Sequence, residues 1–507
     1  MKKLIAGIWL GLLLLLPIAG LHGAEPGRRP NVVFVLADDL GYGDLGCYGQ
    51  KLIRTPHLDE LARQGMRFTH HYAGSPVCAP SRCVLLTGRH PGHAWVRDNV
   101  EVGTWYSFQG QMPLPAGTTT LAGALHGAGY ATAAFGKWGL GGVGSSGDPL
   151  RQGFDHFFGF NDQRQAHNYY PQYLNDDAGR LPLPGNAAVT EKEGVALPAG
   201  ADPRAPASYA AFQGTQYAPD LCAEQALAFL RAHTNQPFLL YYPTTVPHLA
   251  LQVPADSLAE YTGQLADQPY PGGKGYLPHP SPHAAYAAMI TRMDRDVGRL
   301  LAAVRELGLA DNTIFVFTSD NGAVFPLAGV DPEFFHSTGG LLGYKQDVYE
   351  GGLRVPLIVA WPGRIPAGVT ESRVTGFEDW FPTLLDLTGS PPPPGVELDG
   401  VSFAPTLLGR PQPARPFLYR EFHGVGGQVA VREGDWKLVR RHLLPAPARP
   451  AEMPTTELYD LAADPAEARN LAADRPEVVA RLSAIIRAQH RTSAAFPLPA
   501  LDSSAGR

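Results

Sequence analysis

Cysteine is scarce in this 507-residue chain, which contains only Cys47, Cys78, Cys83 and Cys222. So few thiols do not predict a disulfide framework, and the absence of a Cys-x-x-Cys pair argues against a cysteine-ligated metal. Positive charge is also limited, because 41 Lys and Arg face 47 Asp and Glu for a net charge of −6. Without a basic excess the chain has no electrostatic footprint for nucleic acid, so an anionic ligand must be held by local positive charge.

Long apolar segments are also lacking, except near the start, where the apolar run 4–16 follows Met1-Lys2-Lys3. This run is too short to cross a bilayer, which takes about 20 residues, but it is typical of a signal peptide. We therefore predict a signal peptide over residues 1–24, cleaved near Ala24, and export to the bacterial periplasm or exterior. The mature chain is then expected to have no membrane span; an uncleaved anchor is the alternative.

The composition is that of a globular protein, with 44% hydrophobic and 17% charged residues. Buried-type strand patterns alternate with helical patterns, which predicts an α/β fold with a large, mostly parallel sheet sandwiched by helices. The predicted strands are 31–36, 131–135, 238–242, 313–318 and 357–360, and the predicted helices are 55–62, 118–127, 220–232, 283–307 and 380–387. Segments 143–215 and 243–282 are rich in Gly, Pro and aromatic residues, and we predict that they are long surface loops.

A stiff run of four prolines at 391–394 precedes a change of pattern. We predict a catalytic α/β domain over residues 25–410 and a C-terminal α+β subdomain over residues 411–507. In the second part, short strand patterns at 417–421, 428–431, 436–440 and 457–460 precede a helical pattern at 477–490. These patterns predict a smaller antiparallel sheet with one helix.

Two pairs of oxygen-bearing side chains lie just beyond predicted strands. Asp38-Asp39 follows the first strand, and Asp320-Asn321 follows the strand at 313–318. Because ligands gather at the carboxyl ends of parallel strands, these side chains are expected to lie near one another. Adjacent carboxylates are costly unless a cation joins them, and an all-oxygen set suits Ca²⁺ or Mg²⁺. For either pair taken alone, an Asx-turn at a loop start is the alternative.

The segment Cys78-Ala79-Pro80-Ser81-Arg82 opens a predicted helix that Gly88 ends. A helix N-terminus offers unpaired N–H groups and a positive dipole end, so an anion can sit over Cys78. The pattern C-x-P-S-R followed by LLTGR resembles the signature of the formylglycine-dependent sulfatases of the alkaline-phosphatase-like superfamily. The resemblance extends from about residue 30 to Gly409, through GKWGLG at 136–141, VPH at 246–248, GYKQDVYEGGLRVP at 343–356 and LDGVSFAPTLLG at 398–409.

The resemblance implies the chemistry of the site. In that family a dedicated enzyme oxidises the motif cysteine to formylglycine, and the hydrated aldehyde attacks sulfur. Its second hydroxyl later expels sulfate. Carried over to this sequence, the catalytic set is Cys78, Arg82, Lys137, His248 and Lys345, with His248 protonating the leaving alcohol. The metal set is Asp38, Asp39, Cys78, Asp320 and Asn321 around one Ca²⁺, with Mg²⁺ the less favoured ion.

The sequence departs from the family pattern at Gly139, where GKWHLG-type segments have a histidine. His93 and His167 are the candidates to replace that imidazole. We also predict that His93, Arg97, Asn99 and His167 bind substrate. The segments QRQAHNYYP and GKWGLGG resemble bacterial carbohydrate sulfatases, which implies a sulfated saccharide, with sulfated galactose or N-acetylgalactosamine favoured. An aryl sulfate is the simplest alternative substrate.

The resemblance also implies a partner, namely a formylglycine-generating enzyme or an anaerobic maturase that acts on the unfolded chain. Two alternative functions stay open at this point. One is hydrolysis of phosphate or phosphonate esters on the same scaffold. The other is a secreted glycan-binding protein with an inactive site, which the glycine at 139 alone favours.

Overall fold

The computed structural model describes residues 28–102, 110–190, 192, 194–444 and 453–502. The predicted signal peptide, residues 1–24, lies outside the described residues. Within the described ranges, no helix is both long and apolar enough to cross a membrane.

The chain alternates strands and helices along most of its length. The strands are β1 (Asn31–Asp38), β2 (Met66–Tyr72), β3 (Ala131–Lys137), β4 (His156–Phe160), β5 (Tyr173–Asp176), β6 (Gly179–Pro182), β7 (Phe238–Pro247), β8 (Thr313–Ser319), β9 (Arg354–Ala360), β10 (Val369–Glu371), β11 (Thr375–Gly376), β12 (Leu418–Phe422), β13 (Gln428–Glu433), β14 (Trp436–Arg441) and β15 (Thr455–Asp460). The α-helices are α1 (Pro56–Gln64), α2 (Cys78–Thr87), α3 (Leu121–Gly127), α4 (Ala218–Ala232), α5 (Ala255–Ala259), α6 (Pro282–Glu306), α7 (Glu350–Leu353), α8 (Trp380–Thr388), α9 (Ala404–Leu407), α10 (Pro476–Gln489) and α11 (Pro499–Asp502).

The large sheet has the strand order β10-β2-β9-β8-β1-β7-β3-β4-β5-β6, with β11 also pairing with β2. Its centre, β8-β1-β7-β3-β4, is parallel throughout, whereas β9, β5 and β6 pair antiparallel with their neighbours. The second sheet is antiparallel in the order β12-β13-β14-β15. The predicted fold class, a large mostly parallel sheet with a smaller antiparallel one, is therefore confirmed.

Helices cover both faces of the large sheet, as the continuous apolar pattern of β1 requires. Val33 and Val35 of β1 belong to a buried cluster that includes side chains of α1, α4 and α6. Val32 and Phe34 belong to a second cluster with side chains of α2, α3, α8 and α9. Because successive strand residues point to opposite faces, one strand contributes to both cores.

The prediction that residues 143–215 are surface loops was wrong where β4, β5 and β6 extend the sheet. A glycine at position 159 weakens the strand pattern of β4, but the packing requires it. Gly159 has φ +147°, and a Cβ there would lie 2.0 Å from the carbonyl oxygen of Gly136 on β3. The close approach of two backbones thus explains why an unfavourable strand residue occupies this position.

Buried ion pairs join the smaller sheet to the larger one. Lys437 on β14 contacts Glu350 of α7 at 2.9 Å and Glu467 at 2.8 Å. Arg420 on β12 contacts Glu378 at 3.0 Å, and all five of these side chains are buried. Separating such a pair would leave an unpaired charge in the low-dielectric interior, which is costly. The ion pairs therefore hold the two parts of the chain in one relative position.

Lys437→Met should therefore destabilise the protein strongly, since it leaves two buried carboxylates without their ammonium partner. We expect the free energy of unfolding to fall by about 3–5 kcal/mol, measured by urea unfolding followed by circular dichroism. The matched control is Arg481→Gln, which breaks an exposed pair with Glu433 and should cost at most about 1 kcal/mol. Equal losses for the two variants would contradict the role given to the buried pairs.

Candidate active site

Four adjacent parallel strands bring polar side chains to one edge of the sheet. Asp38 is the last residue of β1 and Lys137 is the last residue of β3. Asp320 directly follows β8, and His248 directly follows β7. Since β8, β1, β7 and β3 are neighbours in that order, their carboxyl ends converge on one site.

Cys78 lies over this edge as the first residue of α2. Its side chain is buried, with 1% of the residue exposed, and its Sγ is 3.3 Å from Asp38 Oδ1 and 3.6 Å from Lys137 Nζ. Burial raises the pKa of the Cys78 thiol, and the charge of Asp38 raises it further. The unmodified side chain is therefore a protonated thiol that donates to Asp38, which is a poor nucleophile.

Three buried cations face the three carboxylates of the site. Lys137 Nζ is 2.6 Å from Asp38 Oδ2, and Lys345 Nζ is 2.9 Å from Asp39 Oδ2. Arg82 donates to Asp320 Oδ2 from Nε at 3.0 Å and from a terminal nitrogen at 2.8 Å. Burial alone lowers the pKa of each lysine, but its partner carboxylate raises that pKa above the ordinary value, so both are ammonium ions.

The carboxylates differ in how well they are compensated. Burial alone raises the pKa of Asp38, but the charges of Lys137, His248, Arg82 and Lys345 together lower it well below the ordinary value. Burial and the nearby charge of Asp38 instead raise the pKa of Asp320 to about 7. Such crowding of carboxylates is what a bound divalent cation relieves.

The donor set fits a hard cation. Asp38, Asp39, Cys78 and His248 each place one ligand-type atom within 4.8 Å of the others. Asn321 donates from Nδ2 to Asp39 Oδ1 at 2.7 Å, while its Oδ1 is buried and has no hydrogen-bond partner among the described residues. A buried oxygen without a donor costs free energy, and a cation beside Asp39 would satisfy it. The carboxylate and amide oxygens of Asp38, Asp39, Asp320 and Asn321 are ligands that suit Ca²⁺ or Mg²⁺ better than softer metals.

His248 is a neutral imidazole in this arrangement. Burial, followed by the charges of Lys345 and Lys137, lowers the pKa of His248 well below its ordinary value. Its Nδ1 contacts the Leu249 carbonyl, and its Nε2 is 3.1 Å from Lys345 Nζ. The ring therefore donates from Nδ1 and accepts at Nε2 from Lys345. His167 stacks on His248 with ring centroids 4.7 Å apart, so His167 contacts the site through that ring.

Neither predicted imidazole occupies the space beside Gly139. A Cβ at Gly139 would lie 2.9 Å from Cγ of Gln163, so Gln163 fills that space. Gln163 Nε2 is 3.4 Å from Asn99 Oδ1, which also accepts from the backbone N–H of Ala79 at 3.0 Å. The sequence patterns did not identify Gln163 as a site residue. Its position just beyond the carboxyl end of β4 is the signal that could have done so.

Two other predicted substrate-binding residues lie in protein contacts. His93 Nδ1 is 2.8 Å from Asp399 Oδ1, and the ring stacks on His90. Arg97 is buried, pairs with Glu421 of β12 at 2.9 Å and donates to three backbone carbonyls. Sugar recognition by Arg97 stays a prediction. Hydrogen bonds to other parts of the protein already occupy its guanidinium, which does not favour that role.

Comparison with known sequences identifies the family. Residues 30–390 match the family model described as Sulfatase, and residues 342–491 match that described as N-sulphoglucosamine sulphohydrolase, C-terminal. The chain is a member of the sulfatase family. The resemblance drawn from the sequence is thereby confirmed, and this sulfatase is an enzyme that hydrolyses sulfate esters.

Individual relatives cover most of the chain. The sulfatase is 36% identical over 507 residues to arylsulfatase A of Homo sapiens, covering 93% of this chain and 89% of the relative. It is 29% identical over 509 residues to an N-acetylgalactosamine-6-O-sulfatase of Bacteroides thetaiotaomicron, covering 91% and 93%. The crystal structure of Ps i-CgsB in complex with k-i-k-neocarrahexaose superposes with a TM-score of 0.72 at 25% identity, covering 90% and 92%.

The burial of Cys78 predicts a large difference in thiol reactivity between the folded and unfolded sulfatase. In protein from a host without a maturation enzyme, iodoacetamide should modify Cys78 at least about 100-fold more slowly in buffer than in urea, since each unit of raised pKa lowers the thiolate fraction tenfold. Peptide mass spectrometry locates the label. Half-buried Cys47 is the internal comparison. Equal rates for Cys78 in both solutions would show that the folded site is open to reagents.

Proposed function

We propose that this sulfatase removes sulfate from a sulfated carbohydrate, with an aldehyde made from Cys78 and a bound Ca²⁺. The observation that carries the proposal is the position of Cys78 on the N-terminus of α2, in contact with both Asp38 and Lys137. A nucleophile there lies at the positive end of the helix dipole and beside buried cations, which suits a reaction that transfers an anion.

Maturation of Cys78 to formylglycine is proposed to precede folding. The thiol is buried and protonated in the folded chain, so a modifying enzyme could not reach it there. A formylglycine-generating enzyme or an anaerobic maturase would therefore act on the unfolded chain. The predicted signal peptide implies that folding follows export to the periplasm or the exterior.

The metal is proposed to be held by Asp38, Asp39, Asp320, Asn321 and the matured residue 78. The unpaired oxygen of Asn321 and the crowded carboxylates support this assignment. When bound, Ca²⁺ lowers the pKa of an oxygen ligand and offsets charge on a sulfate oxygen.

The remaining residues are proposed to bind and orient the sulfate. Lys137, Lys345 and Arg82 supply three fixed positive charges where the anion would lie, at no cost of reorganisation. Lys345 also donates to the unprotonated His248 Nε2, so a proton on the Lys345 ammonium lies within reach of the ring atom that would protonate the leaving alcohol. Stacking of His167 fixes the plane of the His248 ring.

A carbohydrate is favoured as the substrate class because of the relatives and the polar walls of the site. One relative is named as an N-acetylgalactosamine-6-O-sulfatase, and the Ps i-CgsB structure holds a neocarrahexaose. In this chain, Asn99 and Gln163 place carboxamides beside the start of α2, where they can bond neutral hydroxyl or acetamido groups.

Replacing Cys78 tests the aldehyde most simply. With enzyme made alongside a maturation enzyme, Cys78→Ala should lower kcat for 4-nitrophenyl sulfate at least about 10⁴-fold, because the nucleophile is lost. Cys78→Ser should at most trap one sulfate per chain, which intact mass spectrometry detects. Cys222→Ala, a buried cysteine of α4, is the matched control and should keep activity. Full turnover by Cys78→Ser would end the formylglycine proposal.

Removal of the metal tests the second part. Dialysis against a chelator should abolish activity and lower the melting temperature, and Ca²⁺ should restore both better than Mg²⁺. In calorimetric titration, Asn321→Ala should bind Ca²⁺ at least about tenfold more weakly, since it loses a ligand oxygen. Full activity after chelation, with no calorimetric binding, would exclude the metal.

A further inference from the structure

The loop that carries His248 is held by a segment of the chain between β4 and β5. The N–H of Ala250 donates to the carbonyl of His167 at 3.1 Å, and the His167 ring stacks on the His248 ring. Farther along the same loop, Gln252 Oε1 accepts from the N–H of Tyr169 at 2.9 Å. The position of the His248 loop therefore depends on this neighbouring segment as well as on β7.

The hydroxyl of Tyr169 makes the contact nearest to His248 in the backbone of this loop. It lies 2.5 Å from the carbonyl oxygen of Thr245 and 2.7 Å from that of His248. The Thr245 carbonyl also accepts from the N–H of His248 at 3.0 Å, which closes a turn. Burial raises the pKa of Tyr169 well above its ordinary value, so the phenol keeps its proton. That single proton bridges the two carbonyls at the ends of the turn.

Tyr169 can affect the reaction only through other residues. It is 0% exposed, so substrate cannot touch it, and its ring stacks on Tyr217 with centroids 5.6 Å apart. The ring of His248, in turn, donates from Nδ1 to the carbonyl of Leu249, so its orientation depends on the backbone of the same loop. A proton donor must lie within hydrogen-bond reach of the leaving oxygen, and a small displacement of the backbone would move Nε2 out of place.

We propose that Tyr169 is a positioning residue, whose hydroxyl holds the His248 loop so that Nε2 lies at the leaving oxygen. This inference rests on the proposed function, because it takes His248 as the group that protonates the leaving alcohol. Loss of the Tyr169 hydroxyl should therefore slow the departure of alcohols that need a proton. It should affect much less the departure of those that leave as stable anions.

The test compares two leaving groups in the matured enzyme. Phenyl sulfate releases phenol, whose pKa of about 10 is that of a tyrosine side chain, so its departure needs a proton. 4-Nitrophenyl sulfate releases a much stronger acid, which leaves readily as the anion. The measured quantity is the ratio of kcat/KM for 4-nitrophenyl sulfate to kcat/KM for phenyl sulfate. Tyr169→Phe removes only the hydroxyl and should raise this ratio about tenfold, a part of the roughly 10²–10⁴-fold that general acid catalysis supplies.

The matched control is Tyr48→Phe. The hydroxyl of Tyr48 also bridges two backbone carbonyls, at 2.7 Å from Phe68 and 2.9 Å from Leu357, but these residues lie outside the proposed site. Both variants lose the same kind of hydrogen bond, so a purely structural role predicts the same behaviour for both. We expect the ratio of the two substrates to stay at the parent value in Tyr48→Phe, whatever the change in its melting temperature.

A double variant shows whether Tyr169 acts through His248. His248→Ala should raise the ratio at least about 100-fold, and adding Tyr169→Phe to it should raise the ratio no further. An unchanged ratio in Tyr169→Phe, or a further tenfold rise in the double variant, would overturn the inference. If the ratio changes in His248→Ala but not in Tyr169→Phe, only the positioning role is wrong. If it changes in neither, the proton-donor role proposed for His248 is wrong as well.

Discussion

Three carboxylates buried at one sheet edge, Asp38, Asp39 and Asp320, impose the main constraint on this structure. Each is at most 2% exposed, so their mutual repulsion is not screened by water. Three buried cations compensate these charges: Arg82 on a helix, Lys137 at a strand end and Lys345 on a loop. The same charge balance places three cations beside residue 78, where we propose that the sulfate binds.

The smaller sheet takes part in this arrangement. The loop that carries Lys345 continues into Gln346, whose N–H donates to the Pro76 carbonyl just before α2. Gln428 of β13 donates to the Gln346 carbonyl at 2.8 Å, and Lys437 of β14 contacts Glu350 of α7. The antiparallel sheet therefore fixes the position of Lys345 relative to Cys78, and this explains why the polar contacts between the two parts of the chain are buried.

The sequence predicted the parallel core and the polar residues at its strand ends. An apolar run and the residue that follows it are neighbours in sequence, so both can be recognised without knowing the fold. It missed β2, whose two adjacent histidines interrupt the apolar pattern, although His71 is buried against Trp380. It also placed surface loops over β4, where Gly159 serves a backbone contact with Gly136. The partners of Arg97, and Gln163 beside Gly139, depend on contacts distant in sequence, which no local pattern contains.

The central claim is that the charge cluster holds an aldehyde and a Ca²⁺ together. The most direct measurement is a crystal structure of the enzyme matured in vivo, with anomalous scattering used to locate calcium and sulfur. The account predicts one calcium bound by Asp38, Asp39, Asp320 and Asn321, and oxygen in place of sulfur on residue 78. Sulfur at residue 78 in a fully active crystal, or full activity with no ion between these side chains, would contradict it.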